Sequence, residues 1–165
     1  MRFDSFFPIV SVLQSRPQAY AKLRGSRDYP NISGMVKFYQ TNRGVVVCVE
    51  VCGLPEGELS RSDTILGFHI HEGNCCRGDA DDPFAGALTH YNPDGYEHPY
   101  HAGDLPPLFA KAGYAFSIVL TGRICVGEII GKTVVIHDQP DDFSSHSSGH
   151  AGAKIACGVI CRNCR

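Results

Sequence analysis

Ile32-Ser33-Gly34-Met35-Val36-Lys37-Phe38-Tyr39-Gln40, then Thr41-Asn42-Arg43-Gly44, then Val45-Val46-Val47-Cys48-Val49-Glu50-Val51: this stretch decides the fold class. Two runs rich in β-branched and aromatic residues flank a short connection ending in Gly, which is the pattern of a β-hairpin. The second run stops at Gly53-Leu54-Pro55. Further strands are expected at 19–23, 66–71, 114–120, 133–137 and 155–160. No stretch reads as a convincing amphipathic helix. With 18 Gly and 10 Pro in 165 residues, the chain is rich in turns. The expectation is an all-β protein, a closed antiparallel barrel or sandwich. Residues 72–112 and 138–154 do not read as strands. Loops of that length in one compact domain are usually functional or disordered.

Composition narrows the function. Apolar residues make up 43% and charged residues 19%, with a formal net charge of −2. No run of Lys and Arg suggests a nucleic-acid partner. No apolar run reaches the roughly 18 residues that a membrane span needs. Residues 5–13 read SFFPIVSVL, and Ala19-Tyr20-Ala21 has the form of a signal-peptidase site. The lone Arg2 is offset by Asp4 and Pro8 interrupts the apolar run, so the reading favours an N-terminal extension over 1–17 ahead of one domain over 18–165. Cytoplasm is then the expected compartment, with export to a periplasmic or extracellular one as the alternative.

All eight histidines lie beyond position 68. His69 and His71 are spaced i, i+2, so on a strand both rings project from one face toward a single ion. His90, His98 and His101 fall in the first long loop, with Asp104 three residues after His101, and His137 closes a strand. Imidazole suits copper and zinc, and a carboxylate suits zinc. His146 and His150, in the second loop, read as loop polar residues.

These blocks resemble a known family. Gly67-Phe68-His69-Ile70-His71-Glu72 is similar to the GFHxHE signature of the copper–zinc superoxide dismutases. The blocks 89–93, 101–105, 131–137 and 152–160 resemble the family's others, in the family's order. The resemblance runs from about residue 18 to residue 160. It implies an eight-stranded Greek-key barrel with two functional loops, and an enzyme that disproportionates superoxide using copper and zinc. Copper would be held by His69, His71, His90 and His137, and zinc by His90, His98, His101 and Asp104, with His90 the bridge and proton carrier. Asp141 would hydrogen-bond one ligand of each metal. Cys157 would pair with Cys76 or Cys75, with Cys76 preferred. A homodimer is also expected.

Two departures from the family stand out. The stretch from His90 to Asp104 is short, chiefly between His98 and His101. Lys154 stands where the family usually has an Arg that guides the anion; it keeps the charge without the planar fork. Of the remaining cysteines, Cys48 and Cys52 read as small core residues. Cys161 and Cys164 form a terminal Cys-x-x-Cys that motivates an alternative, a copper-carrying or chaperone-like protein on the same scaffold.

Overall fold

The computed structural model describes residues 9–56, 64–145 and 149–164; His146 lies outside them. The strands are β1 (Ala19–Gly25), β2 (Ser33–Thr41), β3 (Gly44–Cys52), β4 (Thr64–Leu66), β5 (Phe68–His71), β6 (Leu108–Lys111), β7 (Tyr114–Thr121), β8 (Thr133–His137) and β9 (Lys154–Arg162). They form one sheet in the order β4-β6-β7-β3-β2-β1-β9-β8-β5, and every pairing is antiparallel. The two ends of that order, β4 and β5, are consecutive in the chain and separated only by Gly67. The sheet therefore curls into a nearly closed barrel. Pairing of β3 with β7, β1 with β9 and β5 with β8 gives the Greek-key crossovers.

The expected hairpin is present as β2–β3, with Thr41 opposite Gly44. Alternation places its side chains: in β1, Ala19, Ala21 and Leu23 are buried in the barrel while Lys22 and Arg24 face out. Phe38, Val47, Val49, Ile70, Leu108 and Ile136 fill the same core.

Four details differ from expectation. Among the described residues there are nine strands rather than eight: beside the seven runs read from the sequence stand β6 and the strand gained where the run at 66–71 is divided at Gly67, whose N–H donates to Gln139 O (2.8 Å) and whose carbonyl accepts from the His137 N–H (2.9 Å). The first long loop is interrupted by β6, a four-residue strand that pairs with both β4 and β7. Among the described residues there are two short α-helices, α1 (Ile9–Gln14) and α2 (Val126–Ile129), and a 3-10 turn at Ala85–Ala87. Cys48 and Cys52 are not core residues: they lie on the outer face of β3, Cys48 half-buried and Cys52 exposed. The candidate cleavage triplet Ala19-Tyr20-Ala21 is the start of β1, paired on both edges. No helix among the described residues is long and apolar enough to cross a membrane.

Candidate metal centre

The site is built on β5. All four of its residues are buried, and β8 covers one edge. The first long loop covers the other: the Ile70 N–H donates to Gly103 O (2.9 Å), the Tyr91 N–H to Ile70 O (2.8 Å) and the Glu72 N–H to Thr89 O (2.8 Å). These bonds satisfy what would otherwise be an open strand edge. They also fix His90 beside His71 and Asp104 beside His69. The approach is so close that a Cβ on Gly103 would collide with the Ile70 carbonyl, so only glycine fits there.

Two four-residue groups converge. His69, His71, His90 and His137 form one; His90, His98, His101 and Asp104 form the other. Within each group the ligand atoms lie within 4.8 Å of one another. Every one of these residues is buried. These are the seven side chains that the family resemblance implies, and the fold brings all of them together.

The hydrogen bonds around the groups set which ring nitrogen faces inward. His71 donates its Nδ1–H to Leu88 O (2.9 Å) and His137 donates its Nδ1–H to Gly152 O (3.2 Å). Each ring is then left with a lone pair on Nε2, and these two nitrogens sit 3.2 Å apart. Two lone pairs facing each other in a buried site repel; a cation between them relieves this. His69 donates its Nε2–H to Asp141 Oδ2 (2.7 Å), which leaves Nδ1 buried without a partner. His98 donates its Nε2–H to Asp141 Oδ1 (2.9 Å), which leaves its Nδ1 facing Asp104 Oδ2 at 3.1 Å. Thus Asp141 ties one histidine of each group to a single carboxylate. The Phe143 N–H also donates to Asp141 (2.7 Å). A Cβ at Gly149, where φ is +61°, would strike that carboxylate.

His90 is common to both groups. Its Nδ1 lies 2.7 Å from Asp104 Oδ1, while its Nε2 is buried and has no partner among the described residues. Asp104 Oδ2 also faces His101 Nδ1 at 3.3 Å and accepts the His101 N–H (3.0 Å). Orphaned buried nitrogens are costly unless something meets them. The donor set of four imidazoles, and of three imidazoles with one carboxylate, suits copper and zinc respectively.

Burial keeps the rings of His71 and His137 neutral, as metal ligation requires. Burial lowers His71 well below the ordinary histidine value, helped by its histidine neighbours, and lowers His137 to about 3. Burial opposes ionisation of Asp141, but hydrogen bonds from His69, the Phe143 N–H and His98 prevail and hold it at about 2. Asp104 is likewise lowered: burial raises it, and the His90 hydrogen bond and the charges of His90, His101 and His98 outweigh that.

Beside the four-histidine group opens a cavity of about 420 Å³, lined by His71, His90, His137, Asp81, Asp82 and Lys154 among others. Lys154 opens β9 directly opposite His137. Its Nζ is 2.6 Å from Asp82 Oδ2. Asp82 was not anticipated: the acidic run Asp79 to Asp82 is visible in the sequence, but its pairing with a lysine 72 positions away is not. Arg123 was also missed. Its Nη1 donates to Pro99 O (2.8 Å) and His101 O (3.4 Å), bracing the short turn between His98 and His101. Cys157 is bonded to Cys76, the preferred pairing, and Cys75 is free.

Comparison with known proteins agrees with this geometry. Residues 32–160 match the family described as copper/zinc superoxide dismutase (SODC). The chain is 35% identical to the extracellular superoxide dismutase [Cu-Zn] of Drosophila melanogaster, with 92% of this chain and 91% of that one covered. It is 33% identical to superoxide dismutase [Cu-Zn] 2 of Aquifex aeolicus (78% and 79% covered) and 34% identical to the superoxide dismutase [Cu-Zn] of Photobacterium leiognathi (77% and 78% covered). A nearly closed barrel, a histidine shared by two buried groups of metal-ligating side chains, and the family's sequence blocks in order lead to one conclusion: this chain belongs to the copper/zinc superoxide dismutase family.

Proposed function

We infer that the protein is a superoxide dismutase that holds copper on His69, His71, His90 and His137, and zinc on His90, His98, His101 and Asp104. The observation that carries this reading is the His90 ring, which belongs to both groups, with Nδ1 beside Asp104 and Nε2 buried and unpartnered among the described residues. Copper bound there would supply one-electron chemistry, taking an electron from one superoxide and giving it to a second, while redox-inert zinc would organise the shared ring. The chain's own residues do the rest. His90 lines the cavity and its Nε2 is buried; when not engaged by copper, that nitrogen would hold a proton and give it to a reduced dioxygen species. Asp141 fixes the orientation of His69 and His98 together. Lys154 sets a positive charge at the cavity wall, where it attracts a small anion.

Reconstitution tests the reading. The metal-free protein, supplied with both ions, should bind one copper and one zinc per chain and consume superoxide. Full metal loading without superoxide consumption would overturn it and favour the copper-carrying alternative. That alternative draws on Cys161 and Cys164, both exposed free thiols. Neither metal-competent group among the described residues contains a cysteine.

A further expected result concerns Arg123. Arg123→Ala removes the two hydrogen bonds that brace the His98–His101 turn. Zinc affinity, measured by chelator competition, should fall about tenfold, the scale for losing a group that orients a ligand. Copper affinity should change far less. An unchanged zinc affinity would show that the turn holds its shape without the brace.

A further inference from the structure

Lys154 does not stand free at the cavity wall. Its ammonium is 2.6 Å from Asp82 Oδ2 and 3.4 Å from Phe84 O. Its side chain is 15% exposed, against 41% for that of Asp82. The carboxylate is held in place by its own segment. Asp82 Oδ1 accepts the Phe84 N–H (3.0 Å), and Asp79 Oδ1 accepts the N–H groups of Asp81 and Asp82 (2.9 Å each). Phe84 is buried in a small cluster with Ala87, Val135 and Cys157, and the Cys76–Cys157 disulfide fastens that cluster to β9. Asp82 is therefore a fixed anion aimed at Lys154, the one lysine among the described residues that lines the cavity. Any anion that enters to meet Lys154 competes with it.

We propose that Asp82 is a positioning residue that sets the anion affinity of the site by occupying Lys154. The inference rests on the reading of the cavity as the substrate channel of a dismutase. Asp82 lowers the affinity for small anions and slows encounter with superoxide, and it acts only through Lys154. The favoured occupant of the freed ammonium is a small monoanion, because the cavity also carries Asp81 and would repel a polyanion.

Asp82→Asn separates charge from structure. The amide oxygen still accepts the Phe84 N–H, so the turn is preserved, while the carboxylate facing Lys154 is lost. Asp81→Asn removes the same net charge from the same cavity without touching Lys154. Azide, titrated spectroscopically into the copper(II)–zinc protein, probes anion affinity without turnover. In Asp82→Asn its affinity should rise about three- to fivefold, the scale of a partly exposed ion pair. In Asp81→Asn it should rise much less. In the Lys154→Met background, Asp82→Asn should have no further effect. Acetic anhydride labelling of the metal-free protein, read by mass spectrometry, gives an answer that does not depend on copper: Lys154 should label several-fold faster in Asp82→Asn than in wild type or Asp81→Asn. Unchanged azide affinity, an equal gain in Asp81→Asn, a gain that survives Lys154→Met, or unchanged labelling would each overturn the role. A wild-type protein that loads both metals yet consumes no superoxide would instead overturn the dismutase reading, and the labelling result would still decide the Asp82–Lys154 competition.

Discussion

His90→Ala should lose copper and zinc together and lower superoxide consumption by at least about a hundredfold. Replacing a group that merely orients a metal ligand costs about 10- to 100-fold, so removing a ligand shared by two ions should cost no less. The geometry makes the loss double. Nδ1 of His90 lies 2.7 Å from Asp104, and Nε2 is the buried nitrogen left for the four-histidine group. Without the ring, the first group keeps three histidines and the second keeps two histidines and Asp104. Two companion variants sharpen the result. His69→Ala should weaken copper while leaving zinc largely bound, and His101→Ala should do the reverse, because each ring belongs to one group only. Metal analysis alongside the activity assay reads all three. Normal copper and zinc with full activity in His90→Ala would refute the bridging role.

The seven side chains of the candidate metal centre were legible because their constraints are local or carried by recurrent blocks. His69 and His71 declare a shared face by strand alternation alone. The hairpin of β2 and β3 is legible for the same reason, since β-branched runs and a four-residue connection need no distant partner. What could not be read depends on distant contacts. The four residues of β6 follow Pro106 and Pro107 and become a strand only because β4 and β7 lie on either side. The outward face of β3 was misread because apolar residues occupy both faces: Val46 is buried on the same alternation as Cys48 and Cys52, so periodicity could not say which side held the core. Asp82 meets Lys154 only after a turn, a buried Phe84 and a disulfide have folded the loop back over β9. An acidic run looks like a solvated loop until that folding is known.

The disulfide should carry the largest stability effect. Cys76 and Cys157 are 81 residues apart in sequence. In the chain-entropy account, closing a loop of that length restricts the unfolded chain by about 4–5 kcal/mol. Cys157 is buried among Phe84, Ala87 and Val135, so its replacement also loosens the packing that seats the loop against β9. Metal-free Cys157→Ala should therefore unfold at a denaturant midpoint lower by an amount equivalent to roughly 4 kcal/mol. The melting temperature should drop by about 10 °C or more, given about 2–4 °C per kcal/mol for a chain of this size. Working without metal matters, because ions that bind only the folded state would raise stability by mass action and mask the difference. Cys76→Ala should behave like Cys157→Ala, and adding reductant to wild type should reproduce most of the effect. Cys75→Ala should stay near wild type, since Cys75 is free. Loosening the loop also frees Asp82 from its fixed place, so reduction should speed acetic anhydride labelling of Lys154 in parallel with the loss of stability. If Cys157→Ala unfolds within about 1 kcal/mol of wild type under oxidising conditions, well short of what the closed loop should contribute, then noncovalent contacts alone hold the loop, and the link from disulfide to Asp82 to Lys154 is broken at its first step.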